Sequence, residues 1–210
     1  MRFKLRLLLP RSFQASLAVM LCTTGSVAQA VELDLTPWAG YRFGGQFAEP
    51  VGEDDVDVEE SATFGVAFDV GYAPGQAIEV FYSRQSTDVE GAAPFDLEIE
   101  YFQVGGMATF ESDTPFEPFA VGTVGAARLT PGPGGVEDET RFAATLGGGI
   151  RYPLGERLAL RFEIRGYFTF FDSDAALFCV SDEEGATCRV RAKSSVVWQA
   201  EAQAGVSFRF

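Results

Sequence analysis

Arg161, Glu163 and Arg165 stand at every second position of one short stretch, and the same step recurs in Glu98 and Glu100. A period of two places such residues on one face of an extended strand, where alternating guanidinium and carboxylate groups can form charge-assisted hydrogen bonds. Carrying that parity through the neighbouring stretches adds Arg42, Asp69, Glu79, Arg128, Arg141, Arg151, Glu201 and Arg209, so that seven cations meet six anions on the same face. Near-balance of this kind suits a paired network that fills an interior, and also a narrow polar path for a solute. The chain contains no histidine, the commonest general base and a frequent metal ligand. No serine stands out as a nucleophile, so we expect no enzyme, no catalytic residue, no metal centre and no cofactor.

Three further groups carry chemistry. Residues 48 to 60 hold seven acids, among them Asp54, Asp55, Asp57 and Glu59, hard oxygen ligands of the kind Ca²⁺ takes. They lack the glycine and ligand spacing of an EF-hand loop, and a solvated, self-repelling loop is the simpler reading. Arg189, Arg191 and Lys193 recur at every second position beside Glu183 and Glu184, which are economical partners for them. Cys179 and Cys188 lie nine positions apart; in an oxidising compartment they should form a disulfide.

The elements that must position these groups are long strands. From Trp198 to Phe210 every second residue is apolar (Trp198, Ala200, Ala202, Ala204, Val206, Phe208, Phe210), and those between are mostly polar. Twelve steps at about 3.3 Å and a tilt near 40° rise roughly 30 Å, enough to cross a bilayer. Similar patterns run through Leu35 to Phe47, Thr63 to Tyr72, Ala77 to Ser86, Phe95 to Phe110, Phe116 to Leu129, Thr140 to Leu154, Leu158 to Phe171 and Ser194 to Phe210, eight strands in all. In the fourth, Leu97, Ile99 and Tyr101 share one face while Phe102, Val104 and Phe110 need the other; a bulge near Tyr101 and Phe102 would reconcile them. The connections alternate between short turns and long loops, the longest being Asp172 to Lys193.

The first thirty residues differ in kind. Arg2, Lys4, Arg6 and Arg11 precede an apolar run from Ala15 to Cys22 and an Ala28-Gln29-Ala30 site, the pattern of a cleaved signal peptide with the mature chain beginning at Val31. Residues 1–30 are thus a targeting segment and 31–210 a single domain. Without those four cations the chain keeps 12 Lys and Arg against 30 Asp and Glu, a balance that argues against a nucleic-acid partner. No later stretch is long and apolar enough for a spanning helix, so a membrane assignment requires a closed barrel. A soluble eight-stranded barrel would place the apolar face inward instead. Strand length, the loop asymmetry and the terminal Phe favour the membrane form.

On these features the chain resembles the small eight-stranded outer-membrane barrels, the group that includes the OmpA transmembrane domain, OmpX and OmpW. The resemblance implies an all-β, antiparallel up-and-down transmembrane barrel in the cell outer membrane, with contacts to outer-membrane lipid and lipopolysaccharide. It also implies that Phe208 and Phe210 form a C-terminal signal read by the barrel-assembly machinery. A surface partner would be met through the long loops. Outer-membrane barrels with lipid A deacylase or protease activity are built around a catalytic histidine, which this chain does not have.

Overall fold

The computed structural model describes residues 32–48, 55–89, 94–132, 138–171, 176–182, 185–191 and 195–210, with 48, 55–56, 176–182 and 185–191 described by backbone only. The signal peptide expected over residues 1–30 lies outside these residues. Eight long strands close into an antiparallel barrel: β1 (Leu33–Phe43), β4 (Ser61–Ala73), β5 (Gln76–Val89), β6 (Phe95–Thr109), β7 (Glu117–Pro131), β8 (Glu139–Pro153), β9 (Leu158–Phe170) and β12 (Val196–Arg209). Four short strands, β2 (Gln46–Ala48), β3 (Asp55–Asp57), β10 (Ala176–Asp182) and β11 (Gly185–Arg191), form a second sheet in the order β10-β11-β2-β3.

Hydrogen-bonded partners traced once around the wall define the geometry. Arg209 leads through Asp34, Asp69, Glu79, Gly105, Thr123, Thr145 and Tyr167 to Gln199, ten residues up the strand from which the circuit began. A shear of ten over eight strands corresponds to a tilt of about 40°, and the interior of such a barrel is just wide enough for side chains to fill. The tight ends are the Pro74-Gly75 turn, where Gly75 has φ 67°, and the connections at 110–116 and 154–157. The four short strands all belong to the connections at the opposite end.

The outward face is apolar. Exposed aromatics form two belts, with Tyr72, Phe110, Phe116, Phe208 and Phe210 at the short-turn end and Tyr41, Phe43, Phe64, Phe102, Phe142, Phe168, Phe170 and Trp198 toward the other. Phe162 and Ile164 lie between them. These are the two aromatic girdles of a transmembrane barrel, and the apolar face meets lipid rather than a cavity.

The strand assignments need three corrections. β1 ends at Phe43, because Gly44 and Gly45 (φ 82° and 106°) turn the chain out of the wall into β2. The region from 48 to 60 is not merely loop: it holds β3, which pairs with β2 and places Gln46 opposite Asp57. Finally, β6 carries no bulge; its pairing with β5 runs without a break from Gln76↔Ala108 to Val89↔Phe95. Leu97, Ile99 and Tyr101 therefore all point inward and are buried, while Phe102 and Val104 point to lipid. The apolar side of β6 changes from outer to inner toward the end opposite the tight turns, because the interior itself turns apolar there.

Candidate functional site

The lumen is the site that these elements build, and it is stratified. At the short-turn end Asp34 of β1 accepts from Arg151 Nη1 at 3.1 Å and from Arg209 Nε and Nη2 at 3.0 and 3.2 Å. Thr36 and Ser207 share a hydrogen bond of 2.8 Å just above. Two small cavities of about 120 and 60 Å³ flank this triad, the first touching Glu117 and Arg157, the second Asp69 and Met107.

At mid-height β9 supplies both cations. Arg161 donates to Glu79 at 2.7 Å, to Asp69 at 3.1 Å and to Glu163 at 2.8 Å. Arg165 donates to Glu79 at 2.7 Å and to Glu163 at 2.6 Å. Glu79 thus receives a guanidinium on each of its oxygens, as does Glu163. The two arginines lie over aromatic rings, Arg165 at 3.8 Å from the Phe81 centroid and Arg161 at 4.6 Å from that of Phe119. Gly147 and Gly149 on β8 give these side chains room: a Cβ on Gly147 would stand 2.8 Å from Glu163 Oε1.

One level higher Arg42 donates to Glu201 at 2.8 Å, to Gln85 at 3.4 Å and to the Ser83 hydroxyl. Its guanidinium sits 4.1 Å from the Tyr167 ring centroid and 4.9 Å from that of Tyr101. The Tyr167 hydroxyl donates to Glu201 at 3.0 Å, and Tyr101 shares a hydrogen bond of 2.9 Å with Thr169. Above this level the interior turns mainly apolar, with Gln199 and Thr87 donating to Gly44 O and Glu59 O. Phe47, Val58, Val89, Phe95, Leu97, Ile99, Leu129, Phe171 and Val197 are buried in one cluster that caps the lumen. Phe47 and Phe171 meet edge to face at 6.2 Å. Val58 is tied in place by Val58 N donating to Gly45 O at 3.0 Å and by a bridge to Val89.

Of the thirteen charges assigned to the lumen from parity, nine fall inside: Arg42, Asp69, Glu79, Arg151, Arg161, Glu163, Arg165, Glu201 and Arg209. Arg141 has the inward phase but stands at the rim on the long-loop side, bound to Glu139 at 2.8 Å. Glu98, Glu100 and Arg128 face outward, because the unbroken register of β6 fixes the phase of β6 and β7 together. On the outward face, toward the long-loop end, Glu98 pairs with Arg84, Arg128 with Asp138, and Tyr82 donates to Glu100 at 2.6 Å. Asp34 was missed, although it shares the parity of Arg42; it lies just before the expected start of the first strand. With Asp34 included, the described lumen holds five arginines and five carboxylates, an even balance.

Around the loops, the described residues contain no cluster suited to a metal ion. Of the acids considered for calcium, Asp57 accepts from Gln46 at 2.9 Å, while Asp54 lies outside the described residues and Asp55 is described by backbone only. Arg189 and Arg191 are described by backbone only, and Lys193, Glu183 and Glu184 lie outside the described residues. The backbone register sets Cys179 directly opposite Cys188 in the β10–β11 hairpin; their side chains lie outside the described residues.

Residues 15–210 match the family of outer membrane protein beta-barrel domains, and the chain belongs to that family. No curated protein matches it. Among solved structures, Neisserial surface protein A is 13% identical with a TM-score of 0.58, the match covering 87% of this chain and 100% of that one. A major outer membrane protein from Thermus thermophilus is 12% identical with a TM-score of 0.57, over 87% of this chain and 100% of that one. OprG from Pseudomonas aeruginosa is 10% identical with a TM-score of 0.54, over 87% and 97%. At these identities the likeness is one of fold. The protein is an outer-membrane β-barrel.

Proposed function

We propose that this barrel is a closed, non-enzymatic envelope protein, acting through its place in the membrane and through its extracellular loops rather than by passing solutes. One observation carries the reading: the lumen is filled in series, by the Asp34 triad, the Glu79 and Glu163 cluster, the Arg42–Glu201 level and the apolar cap. Opening a path would break several low-dielectric ion pairs together, each at a cost of about 3–5 kcal/mol. The inward hydroxyls support the absence of catalysis, since Ser83 binds a guanidinium and Ser207 a threonine hydroxyl, neither of them a base. Lipid and lipopolysaccharide would meet the apolar band and the outward ion pairs at its long-loop end, and the acidic loops would meet any surface partner. Recognition of Phe208 and Phe210 by the assembly machinery belongs to the same proposal. Planar-bilayer recording is the test: at most small, rare openings are expected, and steady large currents from the unmutated protein would make it a channel.

A further inference from the structure

Three polar atoms on one wall of the lumen have no protein partner: Trp38 Nε1, Thr63 Oγ1 and Gln203 Oε1, in side chains of residues 7%, 2% and 8% exposed. The register gathers them. Gln203, Gly40 and Thr63 are successive partners across β12, β1 and β4, and Trp38 is the next inward position below Gly40, opposite both Gly65 and Gly205. A Cβ on Gly40 would stand 3.0 Å from Thr63 Oγ1 and 3.1 Å from Gln203 Cβ, so the threonine hydroxyl and the glutamine stem flank one spot. Trp38 is held just beneath by stacking on Phe81, with ring centroids 5.4 Å apart and planes within 4°, and its indole lies where a Gly65 side chain would be.

The three atoms are chemically complementary to one kind of occupant. Trp38 only donates, Gln203 Oε1 only accepts, and the Thr63 hydroxyl does either. A cation there would face the indole N–H, and an anion would face the amide oxygen. Water satisfies all three, and a buried water typically makes about three hydrogen bonds to groups that otherwise have no partner. We propose that Trp38, Thr63 and Gln203 together bind one ordered water molecule, which completes the polar lining of the lumen between the mid-height ion cluster and the Arg42–Glu201 level. The proposal rests on the closed lumen, because a water at this height persists only where bulk solvent does not replace it.

The chain has two tryptophans, so the ¹⁵N-indole spectrum of the folded protein in lipid nanodiscs has two signals, one from Trp38 and one from the outward Trp198. Magnetisation transfer from water, with chemical exchange separated in the rotating frame, should give Trp38 a cross-peak of the sign shown by an immobilised proton. That cross-peak should be lost in Gln203→Met and weakened in Thr63→Val, with both variants checked for cooperative unfolding. Absence of the cross-peak in the unmutated protein, or its survival unchanged in both variants, overturns the site; if a variant does not fold, the unmutated spectrum decides. If bilayers stay silent while the cross-peak is absent, the water site alone has failed. A cross-peak with the sign of rapidly renewed water, together with steady currents, overturns both the site and the closed lumen.

Discussion

Replacing Glu201 isolates a single buried charge. Arg42 and Glu201 are fully buried, and among the described residues Arg42 makes no other ion pair. Glu201→Gln keeps an acceptor for the Tyr167 hydroxyl but strands the guanidinium, and breaking a buried pair in this way costs about 3–5 kcal/mol. Arg42 retains its hydrogen bonds to Ser83 and Gln85 and its places against Tyr101 and Tyr167. A desolvated cation–π contact is worth about 2 kcal/mol, so the lower end, about 3 kcal/mol, is expected. Glu201→Ala also leaves the buried Tyr167 hydroxyl without its acceptor, adding about 1 kcal/mol. The double variant Arg42→Met/Glu201→Leu removes the charge altogether and should be less destabilised than Glu201→Ala alone, since apolar replacement of a buried pair is often near neutral. Reversible urea unfolding in lipid vesicles, followed by far-ultraviolet circular dichroism, measures each difference. If Glu201→Gln lies within about 1 kcal/mol of the unmutated protein, the interior is wet enough to screen Arg42 and the argument for a sealed lumen fails.

Three other outcomes follow from the same geometry. On the lipid face, Phe162→Arg should cost about 2–4 kcal/mol, the cost of a cationic side chain near the bilayer midplane; equal tolerance of Phe162→Arg and Phe162→Ala in the same titration contradicts the outward assignment. In the β10–β11 hairpin, Cys179 and Cys188 should form a disulfide in protein matured in the periplasm, closing a loop of about ten residues and contributing on the order of 2–3 kcal/mol, mostly to local order; two thiols reactive before reduction would refute it. At the extracellular rim, above the lipid band, Asp88 faces Asp96 across β5 and β6, and the hydrogen bond between the two carboxyls holds Asp88 above the usual carboxylate range. A carboxyl raised on folding stabilises fully below its unfolded pKa, and this contribution is lost as pH rises through the folded value. The Glu59 amide, which donates to Asp88 O at 2.8 Å, should therefore be better protected from exchange in mild acid, after correction for intrinsic rates, than at neutral pH; Asp96→Asn should remove the difference.

The strands that face lipid over their whole length were legible without any structure. In Leu158–Phe170 and Val196–Arg209 an unbroken period of two separates Phe162, Ile164, Phe168 and Trp198 from Arg161, Glu163, Arg165 and Glu201, because one side meets hydrocarbon and the other meets ions. Parity therefore placed nine of the lumen charges. It failed on β6, whose apolar residues change sides along its length: Leu97 and Ile99 enter the cap and Tyr101 packs on Arg42, while Phe102 and Val104, further down the strand, meet lipid. A single strand contains nothing to distinguish an apolar interior from an apolar exterior. Only its pairing with β5 and β7 fixes the phase and sends Glu98, Glu100 and Arg128 outside. The identity of each ion pair likewise belongs to the tertiary structure. Arg161 and Arg165 of β9 reach Glu79 on β5, a strand that is not their neighbour in the wall. Those side chains meet because a shear of ten brings their levels together across a lumen narrow enough to span, a relation set by closure of the whole sheet and by no local stretch of sequence.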